Sequence, residues 1–367
     1  MKHLTKLLAA AGVATLALAG CGGGGGTATG QSGGAKDATS FKACAVSDAG
    51  GWDDKSFNES AYDGLKNSQT KLGIQINTAE SNSDADFTPN VESMVSDGCN
   101  LIIGVGFNLE KAVHTSADEN KDVHYALIDS SFNDGNNNTV TVENARPLLF
   151  NTAEAAYLAG YVAAGMTKTG KVATFGGIQI PSVTVFMDGF ADGVAAYNKA
   201  KGTNVQLLGW DKASQNGSFT QSFDDQTLGK EQAQQFISQG ADIIMPVAGP
   251  VGQGTLSSVR QKNDAGGTNA VIWVDSDGYT SSGDGSIIMT SVVKEIGNSV
   301  FDTVKNASEG RFSSEPYIGT LKNNGVAAAP FHDFDSRVPA PVKARLEELR
   351  GQIIDGSLDV STPYDPS

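Results

Sequence analysis

The chain has 367 residues, with 26 Lys and Arg against 41 Asp and Glu, a formal charge of −15, 44 Gly and three Cys. That length implies two or more domains, since one core rarely grows past about 250 to 300 residues; 39% hydrophobic and 18% charged residues make an ordinary globular composition. There are no basic stripes with neighbouring aromatics and no interior apolar run of about 18 residues, so nucleic acid is not an expected partner and the body is not expected to span a membrane.

Residues 1–20 combine Lys2 and Lys6 with an apolar run from Leu7 to Ala19, the pattern of a secretory signal. The run ends in Leu18-Ala19-Gly20-Cys21, which resembles the lipobox of bacterial lipoproteins; the expectation is a diacylglyceryl group on the Cys21 thiol. Removing the signal takes away two lysines and no acid, so the mature chain is more acidic still. Eight glycines between residues 22 and 40 predict a flexible tether, on the order of 25 Å in root-mean-square length. The expected location is the outer face of the cytoplasmic membrane.

Two cysteines remain. Cys44 opens the first strand pattern and Cys99 lies just before Leu101-Ile102-Ile103. If those strands are neighbours, the two residues share a sheet edge and a disulfide can form in an oxidising compartment; two buried thiols are the alternative.

Strands and helices then alternate. Expected strands are 43–46, 74–76, 101–105 and 125–128, with helical spacing over 59–72, near 89–95, and from Leu109. The rhythm restarts after Pro147, with an apolar helix at 153–166, strands at 172–175, 205–208, 243–247 and 271–274, and helices at 183–197 and 229–237. Short apolar runs separated by helical stretches of ten to fifteen residues read as βαβ units on parallel sheets. The expectation is an α/β protein of two doubly wound halves, with ligand held at the carboxyl ends of the strands.

A reaction cannot be assembled from the sequence. His114, His124 and His332 read as surface histidines, and there is no His-Glu-x-x-His, Gly-x-Ser-x-Gly or Cys-x-x-Cys. Gly249 to Gly254 lacks the Lys-Ser/Thr of a phosphate loop. Asp275-Ser276-Asp277-Gly278 has no Glu at the twelfth position of a calcium loop, and Asp84-Ala85-Asp86 reads as a solvated turn or a helix start. No enzyme, metal or cofactor is expected.

Unusual residues instead gather at strand ends: Ser47 to Asn58, Gly104 to Asn108, Gly176 to Phe186, Pro246 to Pro250, and Asp275. Most of these loops are rich in Gly, and several carry carboxylates or aromatics. A flat, neutral ligand bearing hydroxyls would use all three features: rings to stack, amides and acids for a polar edge, an acid for sugar hydroxyls. Taken alone, Phe57 and Phe186 fit core positions equally well, Asp48 and Asp275 fit caps or turns, and Lys294 opens a helix, a poor place for a cation.

The segments Asp48-Ala-Gly-Gly-Trp-Asp-Asp-Lys-Ser-Phe-Asn58, Ile102 to Phe107, Met166 to Val172, Ser238 to Ile244, Pro246 to Gly249, Val274 to Asp277 and Thr290 to Lys294 together resemble the basic membrane protein family. These lipoproteins are substrate-binding subunits of ABC importers for purine nucleosides, and the resemblance runs over about residues 42–357. It implies a type I periplasmic-binding-protein fold of two lobes joined by a hinge, a nucleoside ligand, ABC permease subunits as partners and a monomeric chain. Carried over by position, Asp48 matches the carboxylate on the purine edge, Asn58 a polar contact to the base, and Phe57 and Phe186 the two stacking rings. Asp275 and Lys294 match the ribose contacts, and Asp129 and Gly249 line the cleft. Trp52 and Pro250 depart from the family and are expected to narrow or reshape the pocket. The expected first lobe is 41–148 plus about 275–318, the second 149–274 plus about 319–357, with 358–367 as a tail. The alternatives are a receptor for a sugar or signalling furanose, or a surface adhesin or antigen without a transport role.

Overall fold

A computed structural model describes residues 40–136 and 138–366, so the expected signal, Cys21 and residues 22–39 of the tether lie outside the described residues. The chain opens with β1 (Lys42–Ser47), α1 (Phe57–Leu72), β2 (Gln75–Ala79), α2 (Asp84–Ser96), β3 (Leu101–Val105), α3 (Glu110–Glu119) and β4 (His124–Ile128). A short ribbon, β5 (Phe132–Asn133) and β6 (Thr139–Val140), leads into β7 (Ala145–Phe150). Then come α4 (Thr152–Met166), β8 (Lys171–Gly176), α5 (Pro181–Lys201), β9 (Gln206–Leu208) and a second ribbon, β10 (Trp210–Asp211) and β11 (Asn216–Gly217). After it follow α6 (Gln226–Ser238), β12 (Ile243–Val247), α7 (Gly252–Asp264), β13 (Ala270–Asp275), the single turn α8 (Gly278–Ser281) and β14 (Ile288–Lys294). The chain closes with α9 (Ile296–Ser308), β15 (Tyr317–Gly319), β16 (Val326–Ala328) and α10 (Ala340–Ile354).

Local chemistry sets the boundaries. Gly73 takes φ 70° and closes α1 by donating its N–H to the Gln69 carbonyl, a left-handed cap that glycine adopts without strain. The Asp86 carboxylate accepts from the Ser83 N–H, so the Asp84–Asp86 stretch is a helix start. α4 is apolar nearly all round and buried, packing along α5 through Gly160, Gly189 and Gly193. A Cβ at Gly193 would sit 2.0 Å from the Tyr157 carbonyl oxygen, so only glycine permits that approach.

The first sheet has the order β15-β7-β4-β3-β1-β2, all parallel. The second is β16-β14-β13-β12-β8-β9, parallel except for the β14–β16 pair. The two expected doubly wound sheets are present. Because β1 and β3 are neighbours, Cys44 and Cys99 meet at one edge and form a disulfide with Cα atoms 6.0 Å apart. Constraining a loop of 55-residue separation stabilises the fold by about 4 kcal/mol on the chain-entropy model.

Several boundaries differ from the sequence reading. Pro147 lies inside β7; β15 covers only Leu148–Phe150, so Pro147 sits where that side of β7 is an edge, a position that tolerates a missing N–H. Residues 275–294 belong to the second lobe, not the first, because β14 pairs with β13. The chain therefore crosses between lobes at Asn151, at Glu295 and between Gly319 and Val326. The crossings bond to one another, Asn151 N–H to the Gly319 carbonyl (2.8 Å) and Glu295 N–H to the Gly325 carbonyl (3.0 Å). After the second crossing α9 packs on α1, where a Cβ at Gly64 would lie 2.5 Å from the Gly297 carbonyl oxygen.

Candidate ligand-binding site

The carboxyl ends of both sheets face one cavity of about 540 Å³. Asp48, Phe57, Asn58, Asp129, Phe186, Gly249, Asp275 and Lys294 all line it, drawn from both lobes. The strand-end rule accounts for this convergence: Asp48 follows β1, Asp129 follows β4, and Asp275 and Lys294 end β13 and β14.

Asp48 and Asn58 form one wall. The Asn58 Nδ2 donates to Asp48 Oδ1 at 3.0 Å, while its own Oδ1 is buried and finds no donor among the described residues. Gly106, at φ 104°, lies against the other carboxylate oxygen; a Cβ there would come within 2.3 Å of Asp48 Oδ2. No Lys or Arg hydrogen-bonds Asp48 among the described residues. Desolvation, with further repulsion from Asp54 and Asp129, pushes the Asp48 carboxyl up to about 8 against the pull of Asn58. A carboxyl raised that far is mostly protonated at neutral pH and can then offer its hydroxyl as a donor.

Asp54, which the sequence reading passed over, is buried and also lines the cavity beside this wall. Its carboxylate accepts from the N–H groups of Ser56 (2.9 Å), Asn58 (2.8 Å) and Glu59 (3.0 Å), capping α1 and fixing where Phe57 and Asn58 point. Burial pushes it up to about 6 in spite of those donors.

The other wall is ionic. The Lys294 ammonium bonds Asp129 and lies 3.5 Å from Asp275 Oδ1, and all three side chains are at most 9% exposed. Burial opposes the lysine's charge, but the two carboxylates outweigh it and hold its pKa above the ordinary value. Lys294 ends a strand and does not open a helix, so the helix-dipole objection does not apply. Asp129 (φ 65°) and Asp275 (φ 67°) both sit in the left-handed region, a strain typical of functional turns. The ammonium is 5.1 Å from the Phe57 ring centroid and 5.0 Å from that of Phe186, so one cation faces a ring from each lobe.

The lobes also touch directly. Ser56 Oγ donates to Asp275 Oδ2 (3.0 Å), and the Lys55 carbonyl, at φ 60°, accepts from Trp273 Nε1, Ser276 Oγ and Ser281 Oγ. Pro250 lines the cavity and meets Gly50 across the lobes, 3.1 Å from that residue's Cβ position. Trp52 does not line the cavity: its ring packs on Tyr62 at 5.4 Å and its backbone N–H donates to Glu80 Oε1, so it does not narrow the pocket. Phe107, Ser182 and Phe223 line it without having been singled out. Phe107 lies in a loop the strand-end rule had marked, whereas nothing in the stretch before α6 flags Phe223.

The described residues hold no group of three or more His, Cys, Asp or Glu placed to bind a metal, and no helix long and apolar enough to cross a membrane. The histidines are less passive than expected: His332 pairs with Asp277 at 2.7 Å and stacks on Tyr279, and His124 stacks on Phe312. Asp277 caps the turn Gly278–Ser281 by accepting from Tyr279 N–H.

The family described as ABC transporter substrate-binding protein PnrA-like matches residues 41–356. The ABC transporter nucleoside-binding protein BmpA of Lactococcus lactis is 31% identical over 348 residues, 91% of this chain and 92% of that protein. Basic membrane protein A of Borreliella afzelii is 28% identical over 86% of this chain and 89% of its own length. Among solved structures, an ABC transporter solute-binding protein from Aeropyrum pernix superposes with TM-score 0.78 at 26% identity, over 88% of this chain and 94% of that one. The arabinose-binding protein AraP of Geobacillus stearothermophilus shares the fold, with TM-score 0.56 and 15% identity over 82% of this chain and all of that one.

Proposed function

The chain belongs to the PnrA-like family of ABC transporter substrate-binding proteins, and from that premise we propose that it binds purine nucleosides between its lobes and delivers them to a permease. The observation that carries this reading is the composition of this inter-lobe cavity: two Phe rings from opposite lobes, an acid whose pKa burial raises beside an unpaired amide oxygen, and a buried carboxylate–ammonium cluster. Phe57 and Phe186 stack on the base. Asp48 as donor and Asn58 Oδ1 as acceptor read its edge, a pairing that fits N7 and the 6-amino group of adenine or O6 and N1–H of guanine and hypoxanthine. Asp275, Lys294 and Asp129 take the ribose hydroxyls through charge-assisted bonds. Gly249 and Pro250 close over the ligand from the second lobe as the three crossings flex. The relative named for nucleoside binding supports the ligand class.

A ligand that binds only the native state at a hundred times its Kd stabilises it by about 2.7 kcal/mol, so thermal unfolding with adenosine, guanosine, inosine, adenine or arabinose is decisive. Melting should rise with nucleosides that are recovered intact. A rise with pentoses alone makes the chain a sugar receptor, and release of free base makes it an enzyme.

We further propose that Cys21 carries a lipid that holds the protein on the outer face of the cytoplasmic membrane. A Cys21→Ser chain should be found unprocessed or in the soluble fraction. Wild-type processing and detergent partitioning in that variant would overturn the anchor.

A further inference from the structure

A second space, open to solvent, adjoins the ligand cavity and shares Phe107, Asp129, Ile180 and Ser182 with it. Its far walls are Thr139 from the β5–β6 ribbon, Val185 from α5 and the tail residues Tyr364 and Asp365. Its charge and polarity differ from those of the first cavity. The charged side chains lining it are the carboxylates of Asp129 and Asp365, and neither Lys nor Arg lines it among the described residues. The rest of its surface is apolar or carries neutral hydroxyls and amides.

The start of α5 borders this space and offers an anion only the Ser182 N–H and hydroxyl as donors without a bond among the described residues. Pro181 has no N–H, and the N–H groups of Val183 and Thr184 already donate to the Ile180 carbonyl. Asp129 is committed to Lys294, and its remaining field is repulsive to a phosphate. The same residue joins the two spaces, so the sugar side of a ligand gripped by Asp275, Lys294 and Asp129 borders the second space.

We propose that this second space is an extension subsite that admits uncharged substituents on the sugar's 5′ carbon, such as alkylthio groups, and turns away 5′-phosphates. The inference rests on the nucleoside reading and deepens it. A ribose held by its vicinal hydroxyls leaves C5′ free to project past Asp129. An alkylthio group there meets apolar side chains and neutral hydroxyls. A phosphate meets the Asp365 carboxylate, which pairs with no cation among the described residues, and an Asp129 whose cation is already shared with Asp275, with neither Lys nor Arg lining the space.

The test is calorimetric titration of the full chain with adenosine, 5′-deoxy-5′-methylthioadenosine and adenosine 5′-monophosphate, repeated on Thr139→Trp. Thr139 is exposed and borders the second space but not the first, so a larger side chain there can obstruct the second space without touching the first cavity. The expected result is a thioether affinity within tenfold of adenosine, and a monophosphate at least tenfold weaker than the thioether. Thr139→Trp should weaken the thioether at least fivefold and leave adenosine within twofold. A thioether more than tenfold weaker than adenosine overturns the subsite, as does a monophosphate that matches the thioether. Equal loss of adenosine and thioether in the variant also overturns it, because the ribbon would then be shaping the first cavity. Adenosine binding with thioether rejection sinks this inference alone; failure of all three ligands sinks the nucleoside reading with it.

Discussion

Two carboxylate regions line one cavity and differ in their charged partners. Asp129 and Asp275 share the Lys294 ammonium and form a compensated cluster, whereas Asp48 stands beside the neutral Asn58 amide with other acids as its nearest charges. The difference does not come from depth, since Asp275 and Lys294 are more fully buried than Asp48. Burial raises both Asp48 and Asp129; the two regions differ in that a cation ends a neighbouring strand in one and not in the other. Lys294 does so next to Asp275 because β14 and β13 are adjacent, and β1 has no such neighbour. Under the proposed function, a polar ligand meets an ion-paired set on one side and a neutral acid–amide pair on the other.

The largest effect should come from removing the shared cation. Lys294→Met leaves two carboxylates buried together, and breaking a buried pair costs about 3 to 5 kcal/mol. Urea unfolding should show that loss, and adding Asp129→Asn should restore part of it, since the two sites are coupled. A loss below about 1 kcal/mol would mean the cluster is not a unit.

Next in size is the sugar contact. Asp275→Asn should weaken ribonucleosides ten- to a hundredfold, following about 1.5 to 3 kcal/mol for a charged hydrogen bond, weaken 2′-deoxynucleosides less and leave adenine nearly unchanged. Asp275 also accepts from Ser56 across the lobes, so Ser56→Ala serves as the control for closure. If Asp275→Asn weakens adenine as much as adenosine, and Ser56→Ala does the same, Asp275 is a lobe contact and not a sugar reader.

The rings follow. Phe57→Ala and Phe186→Ala should each weaken nucleosides by about 1 to 3 kcal/mol, by analogy with stacking on nucleic-acid platforms. Phe57 is the cleaner test, being partly exposed, whereas Phe186 is 1% exposed and its truncation also leaves a cavity in the core. Far-UV dichroism and unfolding midpoints separate the two effects for Phe186. Wild-type affinity in either variant would return that ring to the core.

What the sequence conveyed about this site was position, and what it withheld was partnership. The alternation of apolar runs with helical spacing located the loops after β1, β3, β8, β12 and β13, because a strand's end is a local event. Lys294 was misread as a helix start for want of non-local information. Thr290-Ser-Val-Val-Lys294 is a strand only because β13 lies beside it, and the helix begins two residues later. The same omission moved residues 275–294 into the wrong lobe. Asp54 was visible in Asp53-Asp54-Lys55-Ser56, but its role as the cap of α1 depends on three backbone N–H groups converging in space. Phe223 lies in irregular chain with no period to mark it.

The last effect is a slope with pH, and it reads Asp48 directly. A carboxyl at about 8 in the folded chain and about 3.8 when unfolded means the folded state keeps a proton that the unfolded state releases. The associated stability is complete below about pH 4, falls as pH rises, and is gone above about 8, at up to about 1.4 kcal/mol per pH unit. Asp54, at about 6, adds a slope of the same sign, but only over the lower half of that window. Asp48→Asn removes the titration and keeps the shape, so its stability relative to wild type should climb between pH 4 and 8 and then level off. Urea midpoints of both chains at pH 5, 6, 7, 8 and 9, without ligand, give the difference curve, in which Asp54 cancels to first order. A difference that stays flat with pH would mean that Asp48 is an ordinary ionised acid. The donor side of the cavity would then be lost, and both regions would read the ligand as acceptors.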